Sequence, residues 1–390
     1  MHPFNKYFSI WFFSLFITFS QAYAQETEVT TPPAPTIAAS AYFLEDFHTG
    51  KVLAESNADT RLAPASLTKI MTTYVVFREL SNGHLHLNDT VTISEKAWKT
   101  SGSRMFLELG NQVTIQDLLQ GVIIQSGNDA SVALAEHVAG DEATFADMMN
   151  QHALRLGMNN SNFKNSDGLP TPDHYTSARD LAILTTALIK EFPEYYRWFS
   201  QKEFTYNKIT QQNRNKLLSR DESVDGVKTG FTDDAGYCLV ASALREDMRL
   251  ISVVMGTKSA IARANENQTL LNYGFRFYES HRLYEGNKPL NEAKIWKGAS
   301  KSIPLGLNED LYVTIPRRLY SDLKAVINID SKIIAPIAEH TKLGSVKVTL
   351  KEDLIIEKDL VALQAIEKGN IFRRLIDSVL LMLEKSDNGK

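Results

Sequence analysis

The sequence predicts an α/β (α+β) domain, followed by a small all-β domain and a C-terminal amphipathic helix. Three observations lead there. Strand-like runs stand on both sides of a long helical stretch, near residues 41–56 and 224–257, so one sheet is made from both ends of the domain with a helical insertion between them. Short β-like runs then fill residues 280–366. The last segment places its apolar residues on one helical face. The chain has 390 residues, enough for two domains with real cores.

The elements follow in order. "MHPFNKYFSIWFFSLFITFSQAYAQ" has Lys6 in a short polar start, an apolar run from about Phe8 to Phe19, and Ala22-Tyr23-Ala24 in an A-x-A pattern. The run is too short for a spanning helix. Residues 1–24 are therefore expected to be a secretory signal cut after Ala24. Residues 25–37, with "TEVTTPPAPT", read as an extended Pro/Thr tether. The α/β domain is expected over 38–279, the β-rich domain over 280–366 and a terminal anchor helix over 367–386.

"AYFLEDFHTGKVLAES" reads as two strands around a turn at Asp46–Gly50. Helical patterns dominate from Pro64 to about Lys190. Pro64 suits a first helical turn, where its missing N–H costs nothing. Apolar residues at 67, 70, 71, 74, 75 and 77 cover more than one face, so this helix is buried. "NSDGLPTPDHYTS" is a loop rich in turn residues. "VDGVKTGFT", "AGYCLVASALR" and "MRLISVVMGT" read as consecutive strands, and a helix follows from about Ala260 to Tyr278. In the second domain "DLYVTIP", "KAVINI", "GSVKVTL" and "DLVALQAI" read as strands.

In the terminal "GNIFRRLIDSVLLMLEKSDNGK", apolar residues at 371, 372, 375, 376, 379, 380 and 383 line one face; Asn370, Arg373, Arg374, Asp377 and Ser378 line the other. About 15 residues at ~1.5 Å each give ~22 Å, too short to span a bilayer. The segment fits an in-plane membrane anchor. The alternative is an ordinary helix packed on the β-domain.

Composition removes several classes of function. The formal charge is −4 and no basic block stands out, which excludes nucleic acid as the expected partner. Cys238 is the only cysteine, so no intrachain disulfide forms, and its apolar strand setting reads as packing. His84 and His86 have no further ligands in their turn, so no metal or other cofactor is expected. His48, His152 and His174 have no visible triad partner and read as structural or solvated.

The chemistry concentrates in three short motifs. Ser66 and Lys69, in "RLAPASLTKIMTTYVVF", lie at i and i+3 and share a helix face. A buried lysine is costly unless paired or deprotonated. A neutral lysine beside a hydroxyl is a base beside a nucleophile; on the pair alone, a common tetrapeptide pattern, a lysine whose head snorkels to solvent is the better reading. Ser126-Gly127-Asn128 follows an apolar run and precedes a helical one. Lys228-Thr229-Gly230 sits on a strand edge. Together and in this order they form the S-x-x-K, S-x-N, K-T-G set of the active-site serine penicillin-recognising enzymes.

The chain resembles the low-molecular-weight penicillin-binding proteins that are D-alanyl-D-alanine carboxypeptidases. "YFLEDFHTGKVLAESNADTRLAPASLTKIMTTYVV", "QSGNDAS", "NSDGL" and "VKTGFTDDAGYCLVASA" carry the likeness, over about Ala38 to Glu384. The resemblance implies a penicillin-binding, β-lactamase-like transpeptidase fold and an exported protein on the periplasmic face of the inner membrane. It implies peptidoglycan stem peptides ending in D-Ala-D-Ala as substrate and β-lactams as covalent inhibitors. Ser66 would then be the nucleophile, Lys69 its general base and Ser126 a proton relay to the leaving amine. Asn128 would bind the substrate amide, and Lys228 would press on Lys69 with a like charge. The substrate would lie along Lys228, Thr229, Gly230 and Phe231, with the N–H groups of Ser66 and Phe231 as oxyanion hole. Thr229 and Arg263 would hold the terminal carboxylate. Alternatives on the same residues are a D,D-endopeptidase, a slow β-lactamase or a non-hydrolysing β-lactam sensor; a wall-binding protein has no use for all three motifs. Phe231 stands where many such proteins carry histidine or threonine, and the loop "AWKTSGSRMFLELG" looks short.

Overall fold

A computed structural model describes residues 31–387, with side chains to 383. The expected signal segment lies outside the described residues. Five antiparallel strands form the main sheet: β1 (Ala41–Asp46), β2 (Val52–Ser56), β3 (Val224–Thr232), β4 (Gly236–Arg245) and β5 (Met248–Thr257), in the order β2-β1-β5-β4-β3. Both ends of the domain build it, as the sequence predicts. The sheet is covered on both faces, which explains the largely apolar runs of β4 and β5, broken by Ser242 in one and by Arg249 and Ser252 in the other. On β5, Leu250 and Val254 meet Leu270 and Leu271 of the helix Ala260–Phe277. Ile251, Val253 and Met255 point the other way, into the core of the helical insertion.

The central helix of that insertion differs from its expected start. After Pro64 the chain makes a 3-10 turn at Ala65–Leu67, and the α-helix runs from Thr68 to Ser81. Ile70, Met71, Tyr74, Val75, Val76 and Phe77 are all inaccessible, so this helix is buried on every side. A short hairpin of Thr90–Thr92 with Gln112–Thr114 interrupts what the sequence reads as helical. Just before Ser126, the turn Gly121–Gln125 is π-helical.

Beyond the helix Ala260–Phe277 lies the β-rich part. Its six-stranded sheet includes Leu323–Ile329, Lys342–Leu350 and Asp353–Ala362, and Tyr278–Tyr284 pairs separately with Leu311–Pro316. Val346 and Val348 face the core while Lys347 between them is exposed, the period-two alternation of a half-covered sheet. The strands Asn291–Trp296 and Ser302–Gly306 went unread in the sequence. The two parts meet at the β1–β2 turn. Thr49 Oγ1 lies 2.7 Å from Thr314 Oγ1, Lys51 donates to the Thr314 carbonyl at 3.0 Å, and His48 stacks on Tyr312.

The terminal helix Ile371–Asp387 is held by its polar face. Arg373 donates to the Ser300 carbonyl at 2.7 Å, and Asp377 accepts the Lys297 N–H at 2.5 Å. Ile371, Phe372, Leu375, Ile376, Val379 and Leu380 are 45–74% exposed. The alternative of an apolar face packed on the β-domain is therefore not what the chain adopts. Among the described residues no helix is long and apolar enough to cross a membrane.

Candidate active site

The three motifs converge on one cleft of about 390 Å³. It is lined by Ser66, Ser126, Asn128, Asp167, Thr229, Gly230, Phe231, Arg214 and Arg263. Ser66 stands in the 3-10 turn that opens the central helix, and Lys69 one turn on. Lys69 is 1% exposed. Its Nζ lies 3.2 Å from Ser66 Oγ, 2.7 Å from Asn128 Oδ1 and 2.5 Å from the Asp167 carbonyl. The solvent-snorkelling reading of this lysine is thereby replaced by a buried, fully partnered one.

Burial pushes Lys69 down to about 8; the Asp167 carboxylate opposes that shift and Arg214 reinforces it. Lys228, 3% exposed, is lowered well below the ordinary lysine range, by burial first and then by the charges of Lys69, Arg214 and Arg263. Like-charge repulsion, the leading cause inferred from the sequence, thus ranks behind desolvation.

The loop after the insertion aims the Asp167 carbonyl. Glu142 accepts the N–H and hydroxyl of Ser166, and Thr72 donates to the Ser166 carbonyl. Gly168 has φ +84, and a Cβ there would meet the Ala65 carbonyl oxygen at 1.9 Å. Only glycine lets this loop lie against the Ala65–Leu67 turn. His174 secures the same turn. Its Nδ1 accepts the Lys164 N–H, so its Nε2 carries the proton and donates to Thr68 Oγ1 at 2.8 Å. Burial pushes His174 down to about 4, so it is a neutral structural histidine.

Ser126 caps the π-helical turn at φ 66, in left-handed backbone. Its Oγ is buried and has no hydrogen-bond partner among the described residues. Asn128 has both ends of its amide engaged: Oδ1 on Lys69, and Nδ2 donating to the Ser101 carbonyl at 2.7 Å. The loop that supplies Ser101 is tied down by Asp129, whose carboxylate accepts the N–H groups of Met105 and Leu107.

Across the cleft, β3 is the edge strand of the sheet. At Gly230 a Cβ would meet the Pro64 carbonyl at 3.0 Å, so the strand runs close against the turn that carries Ser66. Arg263 is 8% exposed and donates to the Gly230 carbonyl at 2.9 Å, so it is a buried arginine held against β3. Phe231 is 47% exposed and stacks on Tyr237, whose ring also meets the Arg263 guanidinium. Cys238 lies in the core behind, its thiol pushed up to about 11 by burial. Sequence reasoning missed Arg214 and Asp167. Arg214 sits in "QQNRNKLL", outside any motif, and the hydrogen bond that Asp167 gives Lys69 comes from its backbone carbonyl, which leaves no mark on residue identity.

Residues 27–259 match the family described as D-alanyl-D-alanine carboxypeptidase. The chain belongs to the D-alanyl-D-alanine carboxypeptidase family. Residues 278–368 match the C-terminal domain of penicillin-binding protein 5. The chain is 44% identical over 375 residues to the D-alanyl-D-alanine carboxypeptidase DacC of Escherichia coli K12, covering 94% of this chain and 93% of that protein. It is 43% identical over 374 residues to DacA of the same organism, covering 93% of each. The crystal structure of penicillin-binding protein 5 from Haemophilus influenzae is similar with a TM-score of 0.81 at 42% identity, over 86% of this chain and 100% of that one. The expectation of a low-molecular-weight penicillin-binding protein fold and family is borne out.

Proposed function

We propose that this chain is a serine D,D-carboxypeptidase that removes the terminal D-Ala from peptidoglycan stem peptides through an acyl-enzyme, and that β-lactams acylate the same serine. One observation carries the assignment of roles: Lys69 Nζ, 3.2 Å from Ser66 Oγ, has two other acceptors that cannot donate, Asn128 Oδ1 and the Asp167 carbonyl. A neutral amine spends its two hydrogens on those two and turns its lone pair to the Ser66 hydroxyl.

The reaction follows. Ser66 Oγ attacks the penultimate carbonyl as its proton passes to Lys69. The N–H groups of Ser66 and Phe231 hold the oxyanion. Ser126 relays that proton from Lys69 to the leaving amine as the C–N bond breaks and D-Ala departs; water, giving its proton to Lys69, then cleaves the ester and returns Ser66 to its hydroxyl form. Asn128 offers its second amide hydrogen to the substrate carbonyl. Thr229 and the guanidinium of Arg263 receive the terminal carboxylate, with Arg214 and Lys228 adding positive charge at that end. Export to the periplasmic face of a membrane, with the helix Ile371–Asp387 lying in its surface, fits the exposed apolar row and the docked polar row of that helix.

The deciding experiment is D-Ala release from a diacylated Lys-D-Ala-D-Ala peptide, with Ser66→Ala as control. Serine-dependent release supports the reading. Equal release by the Ser66→Ala protein, or penicillin labelling at another residue, overturns it.

A further inference from the structure

Two loops carry the acceptors that fix Lys69, and one carboxylate joins them. Lys69 donates to the Asp167 carbonyl on one side and to Asn128 Oδ1 on the other. Asn128 in turn donates to the Ser101 carbonyl, just beyond the helix Glu95–Lys99. Glu142, in the first turn of the helix Glu142–Leu156, reaches toward both loops. Its Oε1 accepts the Ser166 N–H at 3.0 Å and the Ser166 hydroxyl at 2.7 Å, one residue before the Asp167 carbonyl. Its Oε2 pairs at 2.8 Å with Nζ of Lys96, on the helix that leads into Ser101. From Lys96 through Glu142 and Lys69 to Ser101 the contacts close into a ring, completed by the chain between Lys96 and Ser101.

The two arms of Glu142 differ in kind. Ser166 is inaccessible, so without Glu142 its N–H and hydroxyl lose their acceptor in a buried setting. Lys96 is 54% exposed, so its arm is weaker and is screened by salt. Behind burial, which dominates at all three groups, the Glu142 charge is felt at Lys69, Asp167 and His174. At Lys69 it favours the ammonium.

We infer that Glu142 is a positioning residue for the reaction: it clamps the two loops together so that the Asp167 carbonyl and Asn128 Oδ1 hold the Lys69 amine in one place. The inference rests on Lys69 as the base. It goes beyond that reading in assigning the placement of the base to a carboxylate that does not line the cleft.

The experiment measures kcat/KM for D-Ala release from Nα,Nε-diacetyl-Lys-D-Ala-D-Ala between pH 6 and 10, in the wild-type chain and in Glu142→Ala, Glu142→Gln and Lys96→Met. In the wild type the profile should bend near the Lys69 value of about 8. Glu142→Ala removes both arms. We expect its plateau to be about tenfold lower, since a base displaced by a fraction of an ångström loses much of its rate. Its bend should also move to lower pH, because a carboxylate that favours the ammonium is gone. Glu142→Gln keeps an acceptor for Ser166 and loses the charge. Its plateau should return to within about fivefold of the wild type while its bend stays low. Lys96→Met should slow the wild type about two- to fivefold at low salt and leave Glu142→Gln unchanged.

A loop that is merely loosened lowers the active fraction equally at every pH. Plateaus that fall while the bend stays near 8 therefore overturn the inference, and so does Lys96→Met at the wild-type rate. If Glu142→Ala does not fold, Glu142→Gln and Lys96→Met supply the same readouts. A wild-type profile with no bend overturns the lysine base and this inference with it, whereas a bend that no variant moves overturns the inference alone.

Discussion

Lys69 Nζ donates to Asn128 Oδ1 at 2.7 Å across the floor of the cleft, joining the first motif to the second inside the protein. The bond gives the amine a partner in either charge state. A buried ammonium would need three acceptors, and a buried amine needs only two; the site supplies two strong ones and the serine. The base is thus held in place without depending on its charge.

The pH profile should follow from this. Burial pushes Lys69 down to about 8, and in the proposed mechanism the neutral form takes the Ser66 proton. kcat/KM for peptide hydrolysis should rise about tenfold per pH unit below that value and level off above it. A profile flat from pH 6 to 10 would argue against a lysine base.

Arg263 should act on the carboxylate and not on the chemistry. Arg263→Gln is expected to raise KM for a peptide with a free C-terminal carboxylate by about tenfold or more, as for loss of a buried charged hydrogen bond. The C-terminal amide should be affected much less. Equal losses on acid and amide would place Arg263 in support of β3 through Gly230 alone.

Gly168→Ala sets a side chain against the Ala65 carbonyl and asks alanine to adopt positive φ. We expect a loss of about 3 kcal/mol in urea unfolding. Penicillin acylation should slow as well, because the loop carries the carbonyl that holds Lys69. Wild-type stability and acylation would show that the loop yields freely.

Acid should weaken the fold through His174. In the unfolded chain a histidine titrates near 6.5, and burial pushes His174 to about 4 in the native state. Between those values the unfolded chain binds the proton and the native chain does not, so stability falls as pH drops through that window. The loss approaches about 3 kcal/mol at the acid end. Urea unfolding at pH 7 and pH 4.5 should show a smaller loss in His174→Gln than in the wild type; equal losses would assign the acid sensitivity to other groups.

Removing residues from Gly369 onward should free the protein from membranes while hydrolysis of small peptides continues. Flotation with anionic vesicles checks it, and a truncated chain that still floats would refute the anchor.

What could be read in advance divides along physical lines. The sheet built from both ends was legible because β4 and β5 are mostly apolar runs with a tight turn between them. Ser66 and Lys69 were legible because i and i+3 on a helix meet without help from tertiary structure. Arg214 was not, since nothing local sends its charge toward Lys69. The Asp167 carbonyl was not, since backbone atoms are common to every residue. The rank of burial over repulsion at Lys69 required the depth of the central helix, which depends on everything packed around it.

The edge position of β3 has one more consequence. A strand with an unpaired flank invites another chain to add to the sheet, and proteins normally blunt such edges with charge, proline or a bulge. Here Lys228, Thr229 and Gly230 are buried beneath the Ser66 turn, and the strand comes to the surface at its end, at Phe231 and Thr232. A flexible, single-file peptide can thread that opening; the rigid border of a second folded sheet cannot. On the proposed reading, the same overhang that leaves a docking edge for the substrate shields that edge from a second copy's sheet.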